Sequence, residues 1–497
     1  MSENTTDLKN QTIKSMIWSA IQRFGTLILS FITNLVLARF LSPDDFGCIG
    51  ILTVFISLCE TLIDSGLGAS LIQKDNPSDS DYSTVFWINL SLSFLLYFVI
   101  FVSAPFISKF YNIDVLSQIL RVKAIIIIIE ALRLVQFAYL KKSLNFKKIS
   151  KVYLISAFIS SILGILSAIL GHGVWALVVK NVSEQLLRTL LMCFKSNLKP
   201  KFLFSWSSFK EMFSFGGLML ITSIVMTIYQ NFIQLIMGKI CPPNELGYYT
   251  QAKKLEEVPV SGLNTVVNQV SFPVFSKIKN EKQKMVNGMR KNIKSITFIN
   301  IPFMAFCFVF ATELILFFFT EKWLPSVPYF KYLCFVGIML STNTINTNIL
   351  KATGQGKTYF FMQVGKRILG IIILITCGYF FKVKGLMIGL VTIEYVFFII
   401  NSCTTQHVIG YKVIRQIFDI LPNMIISFLA AFIMHFIKTL YSNLHVFLIL
   451  FISFILFCVI YLSLAFITKN DGFKLIKGIL LNFFKKKNKI NNIQSKD

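Results

Sequence analysis

Residues 35–50, LVLARFLSPDDFGCIG, return without a gap at residues 235–250 as LIMGKICPPNELGYYT. The repeat pairs Arg39 with Lys239, Pro43 with Pro243, Asp45 with Glu245 and Gly47 with Gly247, and long apolar runs flank both copies. A hairpin that recurs between apolar runs constrains the chain to a duplicated, polytopic membrane architecture, because in oil only elements that satisfy their own backbone hydrogen bonds can span. Within the repeat, Ser42-Pro43-Asp44-Asp45 reads as a helix start, with serine at the cap, proline at the first helical position and acids over the positive end of the helix dipole. These paired positions report architecture, not chemistry.

Hydrophobic residues make up 55% of the chain and charged ones 14%. At about 20 apolar residues per crossing, roughly fourteen spans can be drawn, from 15–38 through to 444–467. The fold class expected is therefore all-α and polytopic. Six crossings separate the copies of the repeat, so both have one orientation: a parallel repeat, with an N-lobe over 1–194, a C-lobe over 195–405, an additional helix pair over 406–470 and a basic tail over 471–497.

The net charge of +26 does not point to nucleic acid, because the lysines lie in short connectors between apolar runs rather than along one solvated face. They follow membrane topology instead. With the N-terminus placed in the cytoplasm, about 31 of the 49 basic residues fall on the cytoplasmic side and about 10 on the other. Both termini are expected to be cytoplasmic. The five tryptophans all fall near span ends, as interfacial belts require. The polar start, MSENTTDLKNQTIKS, has no small-residue cleavage site after its first apolar run, so the first span is expected to stay in the mature protein.

Nine cysteines form no CxxC pair and mostly sit inside apolar runs, and the four histidines are dispersed. Neither disulfide, metal site, cofactor nor catalytic constellation is expected. Gly354-Gln355-Gly356-Lys357-Thr358 looks like the end of a phosphate-binding loop but has Lys351 where another glycine is required, and it joins two membrane spans. No connector is long enough for an extramembrane domain.

Ionisable residues inside the spans carry the functional signal, since each costs roughly 2.5–3.5 kcal/mol at the bilayer centre on insertion scales. Arg23 lies in the first span, Glu60 and Asp64 in the second, Glu130 and Arg133 three apart in the fourth, and Lys180, Glu184 and Arg188 at four-residue spacing in the sixth. The second lobe carries Lys253, Lys254, Glu256, Glu257, Lys366, Arg367 and Glu394. Arg23 and Arg188 cannot neutralise by losing a proton. A water-accessible cationic cavity between the lobes is the expectation, with Arg23, Arg133, Lys180, Arg188 and Arg367 as candidates to hold an anionic head group. Glu60, Asp64 and Glu130 are the candidates for proton or sodium coupling.

The strings LARFLSPDDFG, DSGLGASLIQ, STVFWIN, KKSLNFKK, GHGVWALV, LGYYTQAKKL and EKWLPSVP resemble polysaccharide exporters of the Wzx type, the colanic-acid and teichuronic-acid branch of the MATE-like multidrug, oligosaccharidyl-lipid and polysaccharide superfamily. The resemblance implies a flippase that carries an undecaprenyl-pyrophosphate-linked oligosaccharide across the bacterial inner membrane by alternating access, driven by an ion gradient, with a polysaccharide polymerase or co-polymerase complex as a partner. Arg23 resembles the first-helix arginine that related lipid II flippases use for pyrophosphate. A multidrug or cation antiporter on the same fold, with a carboxylate-dominated cavity, is the alternative. A membrane polymerase or ligase, and a scaffold of capsule assembly, are further alternatives.

Overall fold

The computed structural model describes residues 2–64, 66–441, 444–478 and 481, which are helical throughout their regular structure. The helices pack as two compact units, residues 1–250 and 251–497.

The first unit contains α1 (Ser2–Phe40), α2 (Pro43–Asp64), α3 (Leu67–Gln73), α4 (Asp79–Tyr111), α5 (Val115–Lys123), α6 (Ile125–Lys142), α7 (Phe146–Ile169), α8 (Trp175–Ser196), α9 (Trp206–Ile240) and the first turns of α10 (Pro243–Lys277). The helix start read at Ser42 is present: the Ser42 backbone N–H and hydroxyl both donate to Asp45 Oδ2 at 2.8 Å, and the Asp45 N–H donates back to Ser42 Oγ at 3.3 Å. The second copy has Pro242 in place of that serine, and the Asn244 side chain takes the Glu245 N–H at 2.8 Å instead.

The two copies meet glycine to proline. A Cβ on Gly47 would lie 1.8 Å from the Pro243 carbonyl oxygen, and a Cβ on Gly247 would lie 2.0 Å from that of Pro43. Only glycine permits this reciprocal approach, which gives both paired glycines and both paired prolines one structural purpose. Packing of α9 on α2, α3 and α4 places the start of the second sequence copy in the first compact unit.

α7 lies against α1 and α8 through small residues, the usual device where no hydrophobic force joins helices in lipid. The Thr33 hydroxyl donates to Ser161 Oγ at 2.7 Å, the Ser150 hydroxyl to the Trp18 carbonyl at 2.8 Å, and Gly164 leaves room for the Lys180 stem. α2 and α3 are separated at Gly66, whose φ of 72° is left-handed and suits glycine. The break ends α2 at Asp64.

The second unit contains the rest of α10, then α11 (Lys282–Val309), α12 (Ala311–Phe318), α13 (Ser326–Ala352), α14 (Gly356–Ile409), α15 (Val413–Ile437) and α16 (Val446–Ile467). α14 is two arms, broken at Lys382 (φ 50°, ψ −131°), and the arms touch so closely that a Cβ on Gly385 would lie 1.9 Å from the Cys377 carbonyl oxygen. The additional helix pair, α15 and α16, docks on α11 through Phe298, Phe306, Ile426, Met434, Phe457 and Tyr461. One carboxylate near the start of α15 fixes the pair: Asp419 receives two hydrogen bonds from Arg290 (2.7 and 3.0 Å), one from Tyr411 (2.6 Å), and a Lys294 ion pair at 3.1 Å. Lys294 also hydrogen-bonds Asp471 and holds that carboxyl below its usual range.

Ten segments among the described residues are long and apolar enough to cross a membrane. α14 supplies two crossings because of its break. α6, α8 and α10 supply three more and bring the total to fourteen, as the apolar runs predict. Those three carry several charges each: Glu130, Arg133, Lys141 and Lys142 on α6, Lys180, Glu184 and Arg188 on α8, and Lys253, Lys254, Glu256 and Glu257 on α10. The protein is a multi-pass membrane protein, and its charged crossings α6 and α8 hold four of the eight candidate residues.

Candidate functional site

A cavity of about 470 Å³ opens within the first unit. α2 contributes Ser57, Glu60, Thr61 and Asp64; α6 contributes Glu130, Arg133, Leu134 and Phe137; α7 contributes Tyr153; and α9 contributes Ser223, Thr227, Gln230 and Asn231. The wall between α2 and α9 is closed by a hydrogen bond shared by Thr61 and Thr227 at 2.8 Å and by Asn231 Nδ2 donating to Ser57 Oγ at 3.1 Å. Hydroxyls and amides of this kind, with lone pairs and N–H groups left over, suit the hydroxyls of a sugar.

Arg133 is the buried cation of the cavity, 6% exposed. Its Nη2 donates to Glu130 Oε1 at 2.5 Å and its Nη1 to the Tyr153 hydroxyl at 2.9 Å, while its Nε–H is buried without a partner. The pair three residues apart on one helix face therefore forms as the spacing predicts. The stripe on α8 also forms: Glu184 pairs with Arg188 and, at 3.4 Å, with Lys180. Arg188 donates Nη1 to Gln185 Oε1 at 3.2 Å and lies with Cζ 4.2 Å from the Tyr153 ring centroid, and its Nε–H is likewise buried without a partner. Gln185 Nε2 reaches Glu130 Oε2 at 3.4 Å, which links α8 to α6.

The three candidate coupling residues converge on this one cavity, Glu60 and Asp64 from α2 and Glu130 from α6. Its lining holds three carboxylates to one guanidinium. The lining of this cavity inside the first unit is mixed, because the other cations nearby are paired or buried behind it: Lys180 and Arg188 against Glu184, and Lys123, 4% exposed, donating to Thr53 Oγ1 at 3.0 Å. Arg23 is exposed on α1 and does not line the cavity. Arg367 belongs to the second unit, where its Nη1 donates to Gln363 Oε1 at 2.5 Å. Arg39 is exposed on α1, whereas Lys239 donates to the Phe110 carbonyl at 2.7 Å and caps the end of α4.

Sequence reasoning missed Lys123 and Tyr153. Lys123 precedes the apolar run IIIIIE and reads as an interfacial lysine, and Tyr153 is a single aromatic in an apolar helix.

Taken together, duplicated helices, charged crossings and a polar cavity inside one helical unit define a transporter-type membrane fold. A model of the polysaccharide biosynthesis protein family matches residues 36–328, and the chain belongs to that family. It is 26% identical to the teichuronic acid biosynthesis protein TuaB of Bacillus subtilis over 73% of this chain and 75% of that one. It is 25% identical to the lipopolysaccharide biosynthesis protein WzxC of Escherichia coli over 81% of each. Among solved structures, the lipid II flippase MurJ in an inward closed conformation superposes with a TM-score of 0.72 at 17% identity, over 92% of this chain and 99% of that one. That likeness shows a common fold.

Proposed function

We propose that this protein moves an undecaprenyl-pyrophosphate-linked oligosaccharide, a repeat unit of O-antigen, capsule or exopolysaccharide, from the cytoplasmic to the outer leaflet of a bacterial inner membrane by alternating access. Both termini lie in the cytoplasm in this reading, and a polymerase complex receives the product. The observation that carries it is Arg133, a buried guanidinium with an unspent N–H at a cavity whose lining sets hydroxyls and amides beside three carboxylates. The guanidinium suits a phosphoryl oxygen and the neutral wall suits sugar. Glu60, Asp64 and Glu130 are the coupling residues. Uptake of protons or sodium ions there removes the repulsion between the lining and an anion, so head-group binding strengthens as the coupling ion is supplied. Family membership and the likeness to TuaB and WzxC support the substrate class.

The test is deletion of the gene followed by sorting of lipid-linked intermediates between leaflets. Accumulation on the cytoplasmic side is expected. Normal outer-leaflet delivery with failure of chain joining would replace the reading with a polymerase or ligase.

The three carboxylates favour one second reading, a cation antiporter. It predicts that a lipophilic cation such as tetraphenylphosphonium binds the purified protein and that an isoprenyl diphosphate does not compete with it.

A further inference from the structure

We propose that Tyr153 is a positioning residue that holds Arg133 and Arg188 as a paired guanidinium clamp selecting a diphosphate over a monophosphate, an inference that rests on the lipid-phosphate reading above. Tyr153 reaches both arginines by different chemistry. Its hydroxyl oxygen accepts from Arg133 Nη1 at 2.9 Å, and its ring lies 4.2 Å from Arg188 Cζ. The Arg133 Cζ is 5.8 Å from the same centroid, so one aromatic ring from α7 gathers a cation from α6 and a cation from α8.

Two like charges gathered in an apolar medium repel unless something between them takes positive charge. The phenol does so twice, through its lone pair and through the negative face of its ring. Glu130 and Glu184 neutralise the outer side of each guanidinium from its own helix. A guanidinium has five N–H groups, and the Nε–H of Arg133 and the Nε–H of Arg188 are both buried without a partner. Two unspent donors on two guanidiniums around one ring match a ligand with two adjacent anionic centres. A monophosphate can satisfy one of them and leaves the other cation unmet. Tyr153 and Arg133 line the cavity, and Arg188, its side chain 15% exposed, adjoins it across the ring.

The experiment uses the purified full-length protein in detergent, with geranylgeranyl diphosphate and geranylgeranyl monophosphate as probes in equilibrium binding. The wild type is expected to prefer the diphosphate at least tenfold. Y153F, which keeps the ring under Arg188 and loses the acceptor for Arg133, is expected to retain a reduced, several-fold preference. Y153L is expected to bind the two probes alike. R188K, which keeps the charge and loses the planar fork, tests the same clamp if Y153L does not fold, and loss of the preference is expected there too. A merely structural tyrosine would alter both affinities together and leave their ratio unchanged. Equal affinity of the wild type for both probes, or an unchanged ratio in Y153F and R188K, overturns the clamp and leaves the lipid-phosphate reading standing. Binding of neither probe overturns that reading and the clamp with it.

Discussion

Two polar networks, one in each compact unit, treat their buried groups in opposite ways. In the second unit a chain of hydrogen bonds runs from a cation to an anion: Lys366 Nζ donates to Asn401 Oδ1 at 2.7 Å, Asn401 Nδ2 to Asn343 Oδ1 at 2.9 Å, and Asn343 Nδ2 to Glu394 Oε2 at 3.0 Å. Every donor along it points from the ammonium toward the carboxylate, so the charges at its ends fix the direction of both amides. Around the cavity of the first unit the ion pairs Glu130–Arg133 and Glu184–Arg188 are local, each along a single helix, and both arginines keep a buried N–H without a partner. Burying an unspent donor costs free energy, and a network that leaves one at a cavity is poised to take a ligand. The difference separates polar groups that hold helices together from polar groups that wait for a partner.

The comparison breaks most visibly at Arg133. R133L strands Glu130 beside Glu60 and should destabilise the protein by about 3–5 kcal/mol, the usual cost of removing one partner from a buried pair. E130Q/R133Q, which neutralises both members, should recover most of the thermal stability in detergent and still fail to transport. Recovery of transport by the double variant would remove Arg133 from the site. Next in size is G47A, which pushes a methyl group into the Pro243 carbonyl and should cost about 3 kcal/mol as an overpacking change. G365A meets open space on its helix and should instead stabilise by up to about 1 kcal/mol. Paired melting curves of the two variants check this, and equal shifts would mean that the hairpins do not cross at the glycines. The smallest expected loss tests the hydrogen-bond chain from Lys366 to Glu394. N343L leaves the Asn401 amide and the Glu394 carboxylate short of a partner and should cost about 2 kcal/mol, with the preference between diphosphate and monophosphate unchanged because the first unit is untouched. A shift of that preference would contradict the division of labour between the units.

Much of the architecture was legible because it is written along the chain. Apolar runs locate the crossings, the short break near Lys382 separates the arms of α14, and the Ser42-Pro43-Asp44-Asp45 string marks where α2 begins. Glu130 with Arg133 and Glu184 with Arg188 were readable for the same reason, since helical geometry makes residues three and four apart neighbours. What crosses between helices was not. Thr61 and Thr227, or Ser57 and Asn231, meet across more than 160 residues of sequence, and no local pattern encodes the rotation that aims them at each other. Tyr153 lies near two arginines on two other helices, and nothing in its own helix marks it. The reciprocal Gly47 and Gly247 contacts explain why the repeat keeps glycine and proline, although the sequence shows only that it does. Arg23 illustrates the converse, because position inside an apolar run says that an arginine is costly, not which way it points, and in the structure it lies exposed on α1 outside the cavity.

The most direct test is photocrosslinking in cells that synthesise radiolabelled lipid-linked oligosaccharide, with a benzophenone side chain placed either at Thr227 on the cavity wall or at Phe94 on the exposed face of α4. Labelled glycolipid captured from Thr227, and not from Phe94, is the result predicted for a cavity that holds the sugar-phosphate head. Capture from Phe94 with none from Thr227, at equal protein levels, would contradict it.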